Sequence, residues 1–240
     1  MTEPAPPGER QPDSADSEHL RTDSPGRRPA DRTDGHRRRG LFVVFEGGDG
    51  AGKSTQAQLL ADWLSRRGHA VLLTFEPGDT WLGRQIRQIV LDPACPDLDP
   101  RAEALLYAAD KAQHVRQVVE PALERGEIVV SDRYVESMLA YQGAGRVLDA
   151  EAVAAIAWWG AHDLRPDLTV LLDISVEDGL AERPQPDRLE QAGASFHARV
   201  REGFLRLAAA DPARHLVLDA RAPREEIAAA VRERLAGLLG

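Results

Sequence analysis

The stretch Gly47-Gly48-Asp49-Gly50-Ala51-Gly52-Lys53-Ser54-Thr55 brings glycines, a lysine and two hydroxyls into one short turn. It fits the pattern of a glycine, four free positions and then Gly-Lys-Ser/Thr. An apolar run precedes it and the apolar helix pattern QAQLLADWL follows it. Glycines let successive backbone N–H groups turn inward around a phosphate, and the helix that follows adds the partial positive charge of its N-terminus. In that arrangement Lys53 reaches β and γ phosphates and the Ser54 hydroxyl ligates Mg²⁺. The bland alternative is a glycine-rich turn that binds nothing; the strand before and the helix after argue against it. Lys53 is one of only two lysines, with Lys111, in a chain of thirty Lys plus Arg.

A second group of chemically capable residues is Ser131-Asp132-Arg133-Tyr134, at the end of the third apolar run. A carboxylate at the C-terminal edge of a parallel strand is placed to organise Mg²⁺ directly or through water. A surface ion pair is the alternative reading of Asp132 and Arg133. The residues His69, His114, His162, His197 and His215 are scattered without metal-ligand spacing. A GTPase would need an Asn/Thr-Lys-x-Asp segment. The chain has no asparagine, and neither lysine is followed by Asp two residues on.

These groups must be held by a scaffold. Five runs, 41–46, 70–75, 127–131, 167–173 and 215–219, are continuously apolar rather than alternating, which predicts buried strands of a parallel sheet. Helical patterns lie between them. Asp99-Pro100 with Glu103 marks a helix start, Gly126 follows its end near Arg125, and Pro121 is expected to kink or divide it. Pro223 with Glu225 and Glu226 opens a last helix. The alternation predicts a three-layer α/β domain with a five-stranded parallel sheet flanked by helices.

That domain is assigned to residues 41–240. Residues 1–40 hold six Pro, four Gly and three Ser, with eight Arg balanced by eight Asp plus Glu, and are expected to be a disordered tail. The net charge of −9 therefore belongs to the domain and disfavours nucleic acid as its main partner. The single cysteine, Cys95, allows no internal disulfide. With no apolar stretch long enough to span a bilayer, the expectation is a soluble, cytoplasmic chain without a membrane partner.

The landmarks together resemble the thymidylate kinase family, of the nucleoside monophosphate kinase P-loop fold. The resemblance spans essentially all of 41–240. It runs through Glu46 to Ser54, Glu76-Pro77-Gly78-Asp79-Thr80, Leu105 to Lys111 and Asp132-Arg133-Tyr134. It continues through Ala140-Tyr141-Gln142-Gly143, Arg165 to Thr169 and Asp187-Arg188-Leu189-Glu190, the far edge of a short lid. Seven landmarks in order are far more specific than any one alone. The resemblance implies transfer of phosphate from ATP to dTMP with Mg²⁺, by a homodimer packed through helices flanking the site.

Residue by residue, the resemblance implies that 47–55 hold ATP, with Ser54 and Asp132 at the metal. Asp49 would hold the sugar 3′-hydroxyl, Arg133 the acceptor phosphate and Tyr107 the base by stacking. Glu76 and Pro77 would wall the monophosphate site, and Lys111, Ser137, Tyr141 and Gln142 would complete it. Lys53, Asp132, Arg133 and a lid arginine would be the catalytic set. Of the two arginines available there, Arg183 is preferred, because Arg188 is flanked by Asp187 and Glu190. Three positions depart from the family: Lys111 stands where arginine is usual, Asp79 where glycine is common, and Phe75 where many relatives carry arginine. Phe75 ends a strand, is read as core and receives no phosphate role. Two other readings stay open: another small nucleotide or nucleoside kinase of this fold, and a non-catalytic P-loop module that binds nucleotide.

Overall fold

The computed structural model describes residues 40–180 and 187–239, which belong to the second of two compact units, Arg37–Gly240. The tail expected to be disordered lies, apart from Gly40, outside the described residues. So does the stretch 181–186, with Arg183 and most of the expected lid.

The apolar runs form β1 (Phe42–Gly47), β2 (Val71–Phe75), β3 (Ile128–Asp132), β4 (Leu168–Asp173) and β5 (His215–Asp219). They pair in the order β2-β3-β1-β4-β5, and every pair is parallel. In β1 alternate residues serve opposite faces, as the pleat requires. Phe42 and Val44 enter one core with Val115, Val129, Tyr134 and Met138, and Val43 and Phe45 enter another with Leu60, Leu64, Val130 and Leu168. Both faces are covered, so the run needs no polar alternation. The expectation of five buried strands fails at the edges. In β2 and β5, Leu73, Phe75 and Val217 are exposed, because an outermost strand has a neighbour on one side only.

Helices α1 (Lys53–Arg66) and α9 (Arg224–Leu239) bring Leu60, Leu64, Ile227 and Val231 onto the second face. Helix α2 (Trp81–Leu91) is capped by Thr80, whose hydroxyl accepts from Gly83 N. Helix α3 (Pro100–His114) starts as expected, with the Asp99 carboxylate accepting from Arg101 N and Ala102 N. The division expected at Pro121 begins upstream, as a π-helical turn over Val115–Val119 before α4 (Glu120–Glu124). Pro121 has no N–H to offer the carbonyl one α-turn back, and the ladder relaxes into a wider turn there.

A second π-helical turn, Leu139–Gly145, follows α5 (Val135–Met138) and precedes α6 (Ala150–Gly160). After β4 come α7 (Val176–Leu180) and α8 (Ala194–Ala210). The second π turn packs on α8, with Tyr141 against Phe196 and Phe204. Gly145 permits that approach, since a Cβ there would lie 2.7 Å from the Phe196 ring.

Leu64 is fully buried between α1 and the sheet. Leu64→Ala is expected to lower the stability of the folded chain by about 2–5 kcal/mol, read as a lower urea midpoint at unchanged m-value.

Candidate active site

β1 lies between β3 and β4, so the chain leaves β1 and β3 at neighbouring strand ends, where an open α/β sheet forms a crevice. The loop after β1 fills that crevice. Gly47 has φ 138°, and a Cβ there would lie 2.3 Å from the Leu172 carbonyl oxygen, so only glycine lets the loop leave the sheet so close to β4. Gly52, at φ 85°, turns the chain into α1, and Lys53 folds back so that its Nζ donates to Gly48 O at 2.7 Å.

On the β3 side the Ser54 hydroxyl donates to Asp132 Oδ2, while Asp132 Oδ1 is buried with no hydrogen-bond partner among the described residues. A hydroxyl and an orphaned carboxylate oxygen are hard oxygen donors, and a small divalent cation takes such ligands together with phosphate oxygens and water. Ser54 and Asp132 therefore fit Mg²⁺ in this way. Among the described residues, no cluster of three or more His, Cys, Asp or Glu could hold a metal by protein groups.

Arg133 follows with φ 73°, a left-handed conformation costly for a residue with a side chain. Its N–H donates to Phe45 O at 2.9 Å, and the turn returns the guanidinium across the sheet end. There Nη1 donates to Gly47 O and Ser137 Oγ, and Nη2 pairs with Asp49 Oδ1. The Tyr141 hydroxyl donates to the other Asp49 oxygen at 2.8 Å. Asp49 from the loop thus joins Arg133 and Tyr141, 84 and 92 residues further on, and Ser137 between them in one connected group.

Glu46, inside the apolar β1, is fully buried and accepts from Tyr134 N, Ser137 N and Ser137 Oγ. Burial, with the nearby Glu136 charge, pushes its carboxyl up to about 7 despite those donors. In the opposite wall, Glu76 takes Lys111 Nζ on one oxygen at 2.5 Å and His114 Nδ1 on the other at 2.8 Å. Burial alone would raise the Glu76 carboxyl, but Lys111 and His114 hold it below its ordinary value. Lys111 also donates to Tyr134 O, so two of its three N–H bonds serve the fold.

One cavity of about 510 Å³ is lined by both sides: Asp49, Gly50, Gly52, Lys53, Ser54 and Thr55 from the loop, and Glu76, Pro77, Tyr107, Lys111, Asp132, Arg133, Ser137, Tyr141 and Gln142 opposite. Of the loop residues singled out from sequence, Gly47 and Gly48 shape the turn and Ala51 is buried beneath it, outside the cavity wall. Arg183 lies outside the described residues. Arg188 is buried and pairs with Glu103 and Val90 O, rather than with its neighbours Asp187 and Glu190.

One reading is corrected. Phe75 is not core: it is 41% exposed and lines the cavity, because β2 is an edge strand and Phe75 is its last residue. Sequence reasoning also passes over Arg87, Leu91 and Met138, which line the same cavity, and Glu103 behind it, and reads Asp187, Leu189 and Glu190 as the lid's far edge although they line the cavity too. A usable signal existed for part of this. Tyr107, Asp110, Lys111 and His114 stand at helical spacing on one face of α3, where a surface helix would ordinarily carry apolar residues.

A phosphate-cradling loop at the switch point of a parallel α/β sheet, faced by a strand-end Asp-Arg pair, defines a P-loop phosphotransferase. The chain belongs to the thymidylate kinase family: residues 45–231 match the family model described as thymidylate kinase. It is 58% identical over 200 residues to the thymidylate kinase of Cutibacterium acnes, covering 83% of this chain and 98% of that one. It is 53% identical to the thymidylate kinase of Deinococcus radiodurans, over 80% of this chain and 94% of the relative. A crystal structure of thymidylate kinase from Ehrlichia chaffeensis superposes with a TM-score of 0.68 at 30% identity, over 82% of this chain and 98% of that chain.

Burial, with the Arg133 charge, lowers the Lys53 ammonium to about 8, although Asp49, Asp132 and Glu46 oppose the shift. The free enzyme therefore loses this positive charge as pH rises through that value. The kcat/KM for ATP is expected to fall along an alkaline limb with a midpoint near pH 8, while kcat, measured with a polyanion already bound beside the ammonium, holds to higher pH.

Proposed function

We propose that this chain transfers the terminal phosphoryl group of ATP to dTMP, yielding ADP and dTDP. The observation that carries the reading is a cavity whose walls include both the phosphate loop and Tyr107, Arg133 and Gln142. The attacking group is an acceptor phosphate oxygen, already anionic, so no general base is needed. Catalysis consists of alignment and of neutralising the repulsion between two polyanions. Lys53 draws charge from the transferring group, and the loop's N–H groups cradle the donor phosphates. Arg133 takes the acceptor phosphate with its planar fork. Asp49, with Tyr141 beside it, holds the sugar hydroxyl, and Tyr107 stacks on the base. Mg²⁺ held by Ser54 and Asp132 would supply further neutralisation of the donor phosphates.

Arg183 is proposed as the further cation of the reaction, a role left to it by the burial of Arg188 against Glu103. A homodimer belongs to the same proposal. Helices α3 and α6, which pack together, leave Leu105 and Trp159 exposed as apolar surface for a second copy. Among the described residues, no helix is long and apolar enough to cross a membrane. A cytoplasmic location rests on the acidic, single-cysteine composition.

Activity with ATP and Mg²⁺ against dTMP, dUMP, dCMP, dGMP and thymidine tests the reading. dTMP is expected to give the highest kcat/KM. A different best acceptor would favour another small kinase of this fold, and nucleotide binding without any phosphorylated product would favour a binding module. Arg183→Ala is expected to lower kcat at least about tenfold with a smaller change in the KM for dTMP, the signature of a contact made mainly in the transition state.

A further inference from the structure

Glu103 is fully buried in the first turn of α3, and four donors converge on its carboxylate. Gln142 Nε2 donates to Oε1 at 2.8 Å, and Arg146 Nε joins it there at 3.2 Å. Arg146 Nη2 reaches Oε2 at 3.0 Å, and Arg188 Nη2 takes the same oxygen. A carboxylate offers about four lone-pair sites, so this one is saturated. All four partners are donors, so Glu103 meets each of them as an acceptor. The amide end of Gln142 that faces it must then be the NH₂ end, since two acceptors cannot meet.

With its NH₂ end committed to Glu103, Gln142 is left with its carbonyl end for whatever occupies the cavity it lines. What the cavity meets at that position is therefore an acceptor. A base offering a ring N–H, as thymine and uracil do at N3, satisfies it, whereas cytosine presents a lone pair at N3 and would leave two acceptors opposed. Burying two opposed acceptors is costly, so the sense of one amide becomes a selection among bases.

The fourth donor ties in a different wall. Arg188 also donates from Nε to Val90 O, and its own N–H donates to Leu91 O at 3.2 Å. Its neighbours Asp187, Leu189 and Glu190 line the cavity. One carboxylate thereby orients the amide and secures the wall beyond it.

We propose that Glu103 is the positioning residue that sets base selectivity, by fixing which end of the Gln142 amide faces the acceptor. The inference rests on the proposed function, that the acceptor is a pyrimidine nucleotide of the thymidylate kind.

The test compares kcat/KM for dTMP with kcat/KM for dCMP in the full chain with ATP and Mg²⁺. In Glu103→Gln the group opposite Gln142 can donate as well as accept, the amide is free to turn, and the dTMP-to-dCMP ratio is expected to fall about tenfold or more. The KM for ATP should stay within about twofold. Glu103→Asp keeps an acceptor-only group and is expected to hold the ratio within about threefold of wild type, even where its Tm is lower. Should Glu103→Gln not fold with two cations left uncompensated, Glu103→Gln combined with Arg188→Met removes one of them and is expected to show the same fall.

An equal loss toward both nucleotides with an unchanged ratio would make Glu103 a structural residue only and overturn the proposal. So would a ratio that falls as far in Glu103→Asp as in Glu103→Gln. A wild-type enzyme that uses dTMP and dCMP equally would sink this inference while leaving the dTMP reaction in place. One that phosphorylates no dTMP would sink the proposed function itself.

Discussion

Two polyanions can meet only where positive charge is concentrated, and in a chain of net charge −9 that charge has to be held in place by acids. The cavity is built around this constraint. Arg133 leans on Asp49, Lys111 on Glu76, and Arg188 on Glu103, each pair joining different elements. None of these acids is a surplus surface charge. Remove one, and a partly or wholly buried cation loses its counter-ion, which costs far more than an exposed pair returns. Lys53 is the exception: its ammonium donates to the backbone carbonyl of Gly48, which leaves its charge available to a ligand.

The sheet order explains why these pairs can form. Because β3 is inserted between β2 and β1, the loops after β1 and β3 are neighbours, and Asp49 and Arg133 meet although they stand 84 residues apart. The same order brings Ser54 to Asp132 across 78 residues. The edge position of β2 leaves Phe75 and the Glu76–Pro77 wall open to the cavity rather than covered by another strand. Topology here is part of the chemistry.

The scaffold is legible in the amino-acid sequence where its causes are local. Continuous apolar runs reveal strands buried on both faces, Asp99-Pro100 reveals a helix start, and the phosphate loop reveals itself through contiguous residues whose spacing is the function. Which strands become edges is not local, and so Phe75 reads as core from its own neighbourhood while standing exposed in the fold. Glu46 and Glu103 are illegible for the same reason. Their meaning comes from Ser137, 91 residues away, and from Arg188, 85 residues away. Lys111 is legible as a retained lysine on the right helix face. Its bond to Glu76 is not, because that depends on how α3 packs behind the end of β2.

The π-helical turn at Leu139–Gly145 bears on how this enzyme can change over evolutionary time. Tyr141 and Gln142 are adjacent in the chain, yet one serves Asp49 and the other Glu103, and Arg146 returns to Glu103 one turn later. Losing one residue there would change which side chains of the turn face the cavity and which face Glu103, because each helical residue advances by ~100° about the axis. A change of length in this segment would therefore disturb the contacts to Asp49 and Glu103 together, which a single substitution does not.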